Sequence, residues 1–343
     1  MSKKTYKQKI PICFATDDNY VPFLTVALAS LLDNASKENF YKIYVLTSHL
    51  SDENINSIKK HEAENCSIEF VQLSKELDKV QDMFHLRDYY SKETYYRIFI
   101  PNLFPQYDKV LYLDCDITVL GDVSELYNTQ IHGYYVAAAQ EEVMQTFEVF
   151  GNYVEQADGI NRKEYFNAGI LLINCRRWRN KLIAERFVDL LNRYTFRVVQ
   201  DEDYLNVLCK GNVKKLNLGW NKTSYKNDDF DDKDLRITHW KINWRPWKYK
   251  DVLYEEHFWK YAKMTDFYGR LVTMRDSRTD EDRKKDELLM ENLSKMAQED
   301  ADDPNNYYRT DGKKGFWQSL FQRIAIIIRF RIIINASIFR RKQ

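Results

Sequence analysis

The stretch Lys109-Val-Leu-Tyr-Leu-Asp114-Cys-Asp116 is an apolar run that leads directly into two carboxylates. The apolar part predicts a buried strand. Ligand sites of open α/β sheets lie at the carboxyl ends of their strands. Side chains two residues apart in an extended chain point the same way, so Asp114 and Asp116 can both reach one hard cation. We therefore predict a divalent-metal site here, with a solvated turn as the structural alternative.

The pattern Asp-x-Asp alone is a weak signal, because this chain contains it six times. The other five pairs are Asp201/Asp203, Asp229/Asp231, Asp232/Asp234, Asp280/Asp282 and Asp300/Asp302. Only the Asp114/Asp116 pair directly follows a predicted buried strand. The strand context therefore selects this pair.

Apolar runs and helical periodicities alternate on both sides of this stretch. The predicted strands are residues 9–15, 41–46, 68–73, 109–113, 134–139, 169–173 and 236–240. The predicted helices are residues 21–32, 52–64, 178–194 and 202–209. Strand–helix alternation predicts an α/β fold with a mostly parallel sheet and helices on its faces.

Composition narrows the class of protein. The formal net charge is +1, which argues against the basic face of a nucleic-acid-binding protein. The five cysteines are odd in number and none form a Cys-x-x-Cys motif, which favours free thiols in a reducing cytosol. No hydrophobic signal stretch follows the polar residues 1–8. We expect a cytoplasmic protein that binds no nucleic acid.

The composition changes near Arg275. Residues 276–312 are rich in charge, and residues 313–343 contain eight Lys or Arg and no acidic residue. We predict a catalytic domain at residues 1–275, followed at 276–343 by a charged helical linker and a basic, apolar tail. Such a tail favours peripheral association with anionic lipid on the inner face of the cell membrane. Packing of the tail against the domain or against a second copy is the alternative.

Six ordered segments share a family pattern. They are Phe14–Tyr20, Thr94–Arg97, Asp108–Asp116, Phe166–Asn174, Gln200–Asn206 and His239–Trp247. In these segments the chain resembles glycosyltransferase family 8, the retaining transferases that include bacterial lipooligosaccharide α-galactosyltransferase and glycogenin. The resemblance covers roughly residues 9 to 250. It implies a GT-A type α/β fold, a UDP-sugar donor, and Mn²⁺ or Mg²⁺ as the metal.

The resemblance also implies a role for each matching position. The metal ligands would be Asp114, Asp116 and His239. The donor-binding residues would be Ala15, Asp17 and Asn19 for the uridine, Arg97 and Asn167 for the donor, and Arg245 for the diphosphate. Asp201 would hydrogen-bond the donor sugar, and Glu202 would lie beneath the anomeric carbon. Glu141 aligns loosely with an acceptor-side carboxylate.

Each assignment has a structural alternative. Asp17 could cap the first helix, Asn167 could close a turn, Arg97 could form a surface ion pair, and His239 could be structural. The Pro246-Trp247 pair after His239 favours the ligand role, as in the family motif.

The chain departs from the family pattern at Glu202 and in the loop after His239, where Arg245 stands at a lysine position and keeps its positive charge. Ile242 replaces a glycine near the phosphate, and its β-branched side chain resists a positive φ. Glu202 replaces the amide of the bacterial galactosyltransferase pattern. A carboxylate there could be a nucleophile, as in retaining glycosidases, or could stabilise positive charge at the anomeric carbon, and we favour the second role.

We expect a retaining transferase that moves galactose or glucose from a UDP-hexose to a glycan or glycolipid acceptor, as in bacterial lipopolysaccharide or surface polysaccharide synthesis. Extension of a protein-linked glycan is an alternative acceptor. Two other classes stay open at this point: a metal-dependent nucleotidyltransferase and a non-catalytic sugar-nucleotide binder.

Overall fold

The computed structural model of the protein describes residues 5–73, 92–241 and 244–312, and its strands form two sheets. In spatial order, the main sheet consists of β3 (Cys66–Gln72), β2 (Asn39–Thr47), β1 (Gln8–Ala15), β4 (Lys109–Leu113), β7 (Ile170–Asn174), β6 (Val136–Ala138) and β8 (Val213–Lys215). The smaller sheet consists of β5 (Ile117–Val119), β10 (Ile237–His239) and β9 (Lys222–Thr223).

Strand direction brings two distant segments together at one end of β4. Strands β3, β2, β1 and β4 are mutually parallel, whereas β7 is antiparallel to β4. Strand β7 therefore begins where β4 ends, with Ile170 opposite Leu113. The Asp114 N–H donates to the carbonyl of Gly169 at 2.7 Å. The predicted α/β class with a mostly parallel sheet is confirmed.

Helices cover both faces of the main sheet. They are α1 (Val21–Asp33), α2 (Asp52–Lys59), α3 (Ile100–Leu103), α4 (Val123–Tyr127), α5 (Glu142–Thr146), α6 (Glu148–Gln156), α7 (Cys175–Asn180), α8 (Ile183–Leu191), α9 (Asp201–Cys209), α10 (Glu255–Ala262), α11 (Tyr268–Asp276) and α12 (Asp280–Asp302). Shorter helical turns lie at Lys92–Phe99, Leu218–Asn221, Asp232–Asp234 and Tyr308–Gly312. Alternation along β1 sends Ile12 toward the core with α1 and Cys13 toward the core with α8.

Several predicted elements have different bounds in the structure, and the predicted strand 134–139, for example, is the shorter β6 (Val136–Ala138). Helix α2 ends at Lys59, five residues before the predicted end. The predicted helix at 178–194 is wrong as one element, because Leu182 takes a left-handed conformation with φ 54° and separates α7 from α8. The predicted strand 236–240 is the shorter β10, and it joins the smaller sheet.

The charged segment after residue 275 contains a long helix that packs on the rest of the molecule. Helix α12 begins with a capping box between Thr279 and Asp282 and packs against α6, with Ala297 fully buried. The predicted boundary at 275 stays a prediction, and the tail at 313–343 lies outside the described residues. No helix in the described ranges is long and apolar enough to cross a bilayer.

Candidate active site

The carboxyl ends of β1 and β4 open into a cleft, which is the usual place for a ligand site in an open α/β sheet. Most of the predicted site residues line it: Ala15, Arg97, Asp114, Asp116, Asn167, Asp201, Glu202, His239 and Arg245. Asp17 and Asn19 are absent from this lining, and Thr16 and Tyr20 from the same loop are present. One cleft therefore gathers residues from six separate sequence segments.

Three potential metal ligands meet in this cleft. The ligand atoms of Asp114, Asp116 and His239 all lie within 4.8 Å of one another. Nε2 of His239 is 3.4 Å from Asp116 Oδ1 and 3.7 Å from Asp114 Oδ2. The extended-chain argument for the two carboxylates is wrong in detail, because the chain bends at Cys115 and Asp116. The bend, together with β10 alongside β5, brings the three side chains together.

A buried hydrogen-bond chain orients the imidazole. Nδ1 of His239 is 2.9 Å from Oδ1 of Asn221, and the Asn221 amide donates to Oδ1 of Asn167 at 2.7 Å. Asn167 in turn donates to Glu141 at 2.5 Å, and Glu141 also accepts from Lys241. Since the Asn221 oxygen faces Nδ1, that nitrogen carries the proton and Nε2 keeps its lone pair for a cation.

Gly169 leaves room for this group. A Cβ at this position would lie 2.3 Å from Cε1 of His239 and 2.7 Å from Oδ2 of Asp114. Both distances are far inside van der Waals contact, so any side chain at residue 169 would displace two of the three ligands.

Arg97 holds two carboxylates of the cleft, Asp114 and Asp201, in place. Its guanidinium lies 3.2 Å from Asp114 Oδ1 and 3.0 Å from Asp201 Oδ2, and it also donates to the carbonyls of Thr94 and Ala168. Burial alone would lower the pKa of Arg97, but Asp114 and Asp201 raise it, so the guanidinium stays charged. The surface-ion-pair alternative is wrong, because Arg97 is buried.

The two carboxyls at the start of α9 are buried and retain protons to unusually high pH. Burial raises the pKa of Asp201 to about 6, although Arg97 opposes the shift. Burial raises the pKa of Glu202 to about 8, with Lys241 opposing and Glu141 adding to the shift. Glu202 Oε2 accepts from the Ala168 N–H at 2.8 Å, whereas Oε1 has no hydrogen-bond partner among the described residues. This oxygen is available to a bound molecule.

Arg245 lies beside the metal group. Its Nη2 is 3.4 Å from Asp116 Oδ2, and its guanidinium is 5.8 Å from the Trp247 ring centroid. A cation in this place can neutralise either Asp116 or an anion in the cleft. Ile242, the departure expected to alter the contact between this loop and a phosphate, lies outside the described residues.

Asp17 does not cap α1, whose first turn has no side-chain cap, but it orders the turn that precedes the helix. Its Oδ1 accepts from the backbone N–H groups of Asn19 and Tyr20 at 2.9 and 3.0 Å, which closes the turn before α1. Asn19 is exposed. Glu141 is almost fully buried and caps α5 through the Val143 N–H. It lies behind Asn167 and Lys241 and does not line the cleft.

The sequence profile of glycosyl transferase family 8 matches residues 11–251, which is most of the chain. The chain belongs to glycosyl transferase family 8. The family 8 match contains every site residue from Ala15 to Arg245 and ends before α12. Family 8 membership makes the protein a glycosyltransferase and removes the nucleotidyltransferase alternative.

Individual family 8 relatives agree with this assignment. A Haemophilus influenzae (strain Rd) protein named "Putative glycosyltransferase" is 31% identical over 233 residues, which cover 66% of this chain and 68% of the relative. The lipopolysaccharide 1,2-glucosyltransferase of Escherichia coli is 24% identical over 234 residues, which cover 66% and 67%. The solved structure of galactosyltransferase LgtC with donor and acceptor sugar analogs has a TM-score of 0.61 and 26% identity, covering 75% of this chain and 96% of LgtC. The GT-A type fold is confirmed.

Several residues of the family 8 site were not predicted from the sequence. Asn221 lies outside the six family segments and contacts His239 only in the fold, and Lys241, inside the last segment, contacts Glu141 from a position 100 residues away. Tyr112, inside the apolar strand, donates to Asp114 at 2.6 Å. Gly169 lies in the Phe166–Asn174 segment of the family pattern, and its position directly before β7 could have indicated that it lies close to Asp114.

Proposed function

We propose that this family 8 enzyme is a metal-dependent, retaining transferase that moves galactose or glucose from a UDP-sugar to a glycan. The observation that carries the proposal is the meeting of Asp114, Asp116 and His239 in the cleft that Asp201, Glu202 and Arg245 also line. A metal-binding group and a set of buried polar groups around one cavity suit a phosphorylated, hydroxyl-rich substrate.

The residues present fit a divalent cation. Two carboxylate oxygens and one imidazole nitrogen with a fixed tautomer form a donor set that suits Mn²⁺, and Mg²⁺ is the alternative. When bound, the ion would supply positive charge that stabilises a departing diphosphate. Arg245 adds a second fixed positive charge on the same side of the cleft.

The opposite side of the cleft supports the sugar. Asp201, held by Arg97, and Asn167, held by Glu141, offer fixed hydrogen-bond partners to hydroxyl groups. Glu202 has one uncommitted oxygen, and we propose that its carboxylate stabilises positive charge at the anomeric carbon in a front-face reaction. Ala15, with Asp17 and Asn19 in the turn beyond it, would bound the nucleoside end.

The acceptor we propose is a growing lipopolysaccharide or surface polysaccharide, reached from the cytoplasmic side of the membrane. The names of two relatives support this choice: one acts on lipopolysaccharide, and LgtC was solved with an acceptor sugar analog. The tail at residues 313–343 would bring the enzyme to that surface through its basic and apolar side chains.

A donor-hydrolysis screen tests the proposal without knowledge of the acceptor. The purified full chain is incubated with UDP-galactose, UDP-glucose and other nucleotide sugars, with Mn²⁺ or with EDTA, and released nucleotide is measured. We expect UDP release from a UDP-hexose only with the metal. Full activity in EDTA, or release of pyrophosphate in place of UDP, would contradict the proposal.

Asp116→Ala supplies the site-specific version of the same test. A bound cation would stabilise the developing negative charge in the transition state by several kcal/mol. Loss of one of its ligands should therefore reduce the rate by about a thousandfold or more. The matched control is Asp229→Ala, which removes an exposed carboxylate of another Asp-x-Asp pair and should leave the rate unchanged.

A further inference from the structure

A second groove lies at the opposite end of the central strands β4 and β7 from the catalytic cleft. It is open to solvent and is bounded by the turn at residues 129–133 and by helix α7. Lys109 begins β4 and Asn174 ends β7, whereas Asp114 and Gly169 lie at the other ends of these strands. At about 3.3 Å per residue, the two sites are roughly 15 Å apart along the strands.

The lining of this groove is strongly basic. It contains Lys109, Arg176, Arg177 and Lys181 together with His132, and a single carboxylate, Asp108. None of these four Lys and Arg side chains forms an ion pair with a carboxylate in the described residues. Four neighbouring positive charges without counterions repel one another, so the groove attracts anions.

Aromatic rings hold two of the cations without neutralising them. Lys109 Nζ lies 4.5 Å from the Tyr127 ring centroid, and Arg177 Cζ lies 5.3 Å from that of Tyr135. A ring face orients a cation but leaves its full charge in place. Burial also lowers the pKa of Lys109, which reflects an ammonium that has lost water without gaining a carboxylate.

The walls of the groove are preorganised. Asn174 accepts from the Arg177 N–H at 3.0 Å and donates to the carbonyls of Ile131 and Tyr134 at 3.2 and 3.1 Å. One side chain thereby fixes the start of α7 relative to the 129–133 turn. The Nε of Arg177 is buried and has no hydrogen-bond acceptor in the described part of the chain. A buried donor without a partner is costly, and an anion in the groove would satisfy it.

We propose that this groove is a second binding site, separate from the catalytic cleft, for a soluble ligand that carries one or two phosphate groups. A planar guanidinium can bind two phosphate oxygens, and a lysine adds a point charge beside it. The groove is concave between a turn and a helix, so it fits a small phosphorylated molecule better than it fits the flat surface of a bilayer. The site would report the level of a soluble phosphorylated metabolite.

Calorimetric titration with pyrophosphate in EDTA tests the site on the full chain. We expect wild type to bind one equivalent. The double variant Lys109→Gln/Arg177→Gln should bind at least about tenfold more weakly, because it loses two charge-assisted contacts. The exposed pair Arg176→Gln/Lys181→Gln should weaken binding severalfold without any risk to the core. Arg245→Ala separates the two sites, because it lies in the catalytic cleft and should leave this binding unchanged.

Lys59→Gln is the matched control, since Lys59 lies 6.0 Å from the Phe70 ring centroid, outside the groove. It should bind pyrophosphate as wild type does, and the groove variants should keep wild-type donor hydrolysis. No binding by wild type, equal binding by the groove variants, or loss of binding in Arg245→Ala would overturn the proposal. Groove-dependent binding to phosphatidylglycerol vesicles, but not to pyrophosphate, would replace the soluble ligand with a lipid headgroup and overturn that assignment.

Discussion

A single methyl group at residue 169 would collide with His239 and Asp114, two of the three potential metal ligands. In Gly169→Ala, His239 and Asp114 must move to relieve contacts of 2.3 and 2.7 Å. We expect a loss of about a hundredfold or more in activity, since displacements near 1 Å at a reacting centre have effects of this size. Donor hydrolysis and Mn²⁺ titration of the variant measure it, and an active variant with normal metal affinity would contradict the role.

Gly269→Ala is the matched control for this substitution. Gly269 lies in α11, and a Cβ there would meet no atom within 4 Å. The change should leave activity unaltered and raise the free energy of unfolding by no more than about 1 kcal/mol through helix propensity.

Glu202 predicts an unusual dependence of activity on pH. Because burial raises its pKa to about 8, the group is mostly neutral at pH 7, and its carboxylate forms as the pH rises through about 8. If the carboxylate stabilises the anomeric centre, the wild-type rate should rise over this range. Glu202→Gln should lack the rise and stay within about threefold of wild type at pH 7, because the amide resembles the neutral acid.

Rate measurements between pH 6 and 9 on both proteins distinguish the two roles of Glu202. An obligatory nucleophile would require the carboxylate at every pH, so Glu202→Gln would then lose activity by about a thousandfold or more throughout.

Among the elements, helix α12 braces the loop that carries Arg245. Asp286 on α12 accepts from Tyr249 at 2.6 Å and Arg278 at 2.5 Å and lies 3.2 Å from Lys248 Nζ. The Lys248 and Tyr249 N–H groups in turn donate to the Arg245 carbonyl. A charged helix outside the family 8 match therefore supports a residue inside the cleft.

Asp286→Ala should destabilise the protein by about 2 kcal/mol, because it leaves two partly buried cations without a counterion. It should also weaken UDP binding more than Mn²⁺ binding, because we propose that Arg245 contacts the diphosphate. Thermal unfolding and calorimetry measure these effects. Glu287→Ala, at the exposed neighbouring position of the same helix, should change neither; equal losses in both variants would indicate a general effect on α12.

Local patterns predicted most elements but not their spatial relations. Apolar runs predicted the bounds of β1, β2 and β4 to within two residues. This was possible because most of the buried residues of each strand are apolar and adjacent in the sequence. The break at Leu182 carries no Gly or Pro signal, so packing and not propensity sets it. The ligand set followed from motif resemblance, whereas the Asn221 and Lys241 contacts depend on chain segments that meet only in the folded protein.

At the scale of the whole molecule, the metal group joins the two sheets. Asp114 follows β4 of the main sheet, and His239 ends β10 of the smaller one. A cation held by both should stabilise the folded state by about 2.7 kcal/mol at a free concentration one hundred times its Kd. Thermal unfolding with increasing Mn²⁺ should show a rising midpoint in wild type and none in Asp116→Ala; an unchanged wild-type midpoint would argue against the site.

Residues that meet in this site are made at widely separated times during translation. Arg245 and Asp116, 3.4 Å apart in the fold, are separated by 129 residues of chain. A nascent chain therefore contains Asp114 and Asp116 long before His239 and Arg245 have been made. Until the smaller sheet closes, Asp114 can pair with Arg97, whereas Asp116 lacks both of its basic partners. A cation that needs all three of Asp114, Asp116 and His239 would therefore be bound only after the chain has been translated past β10.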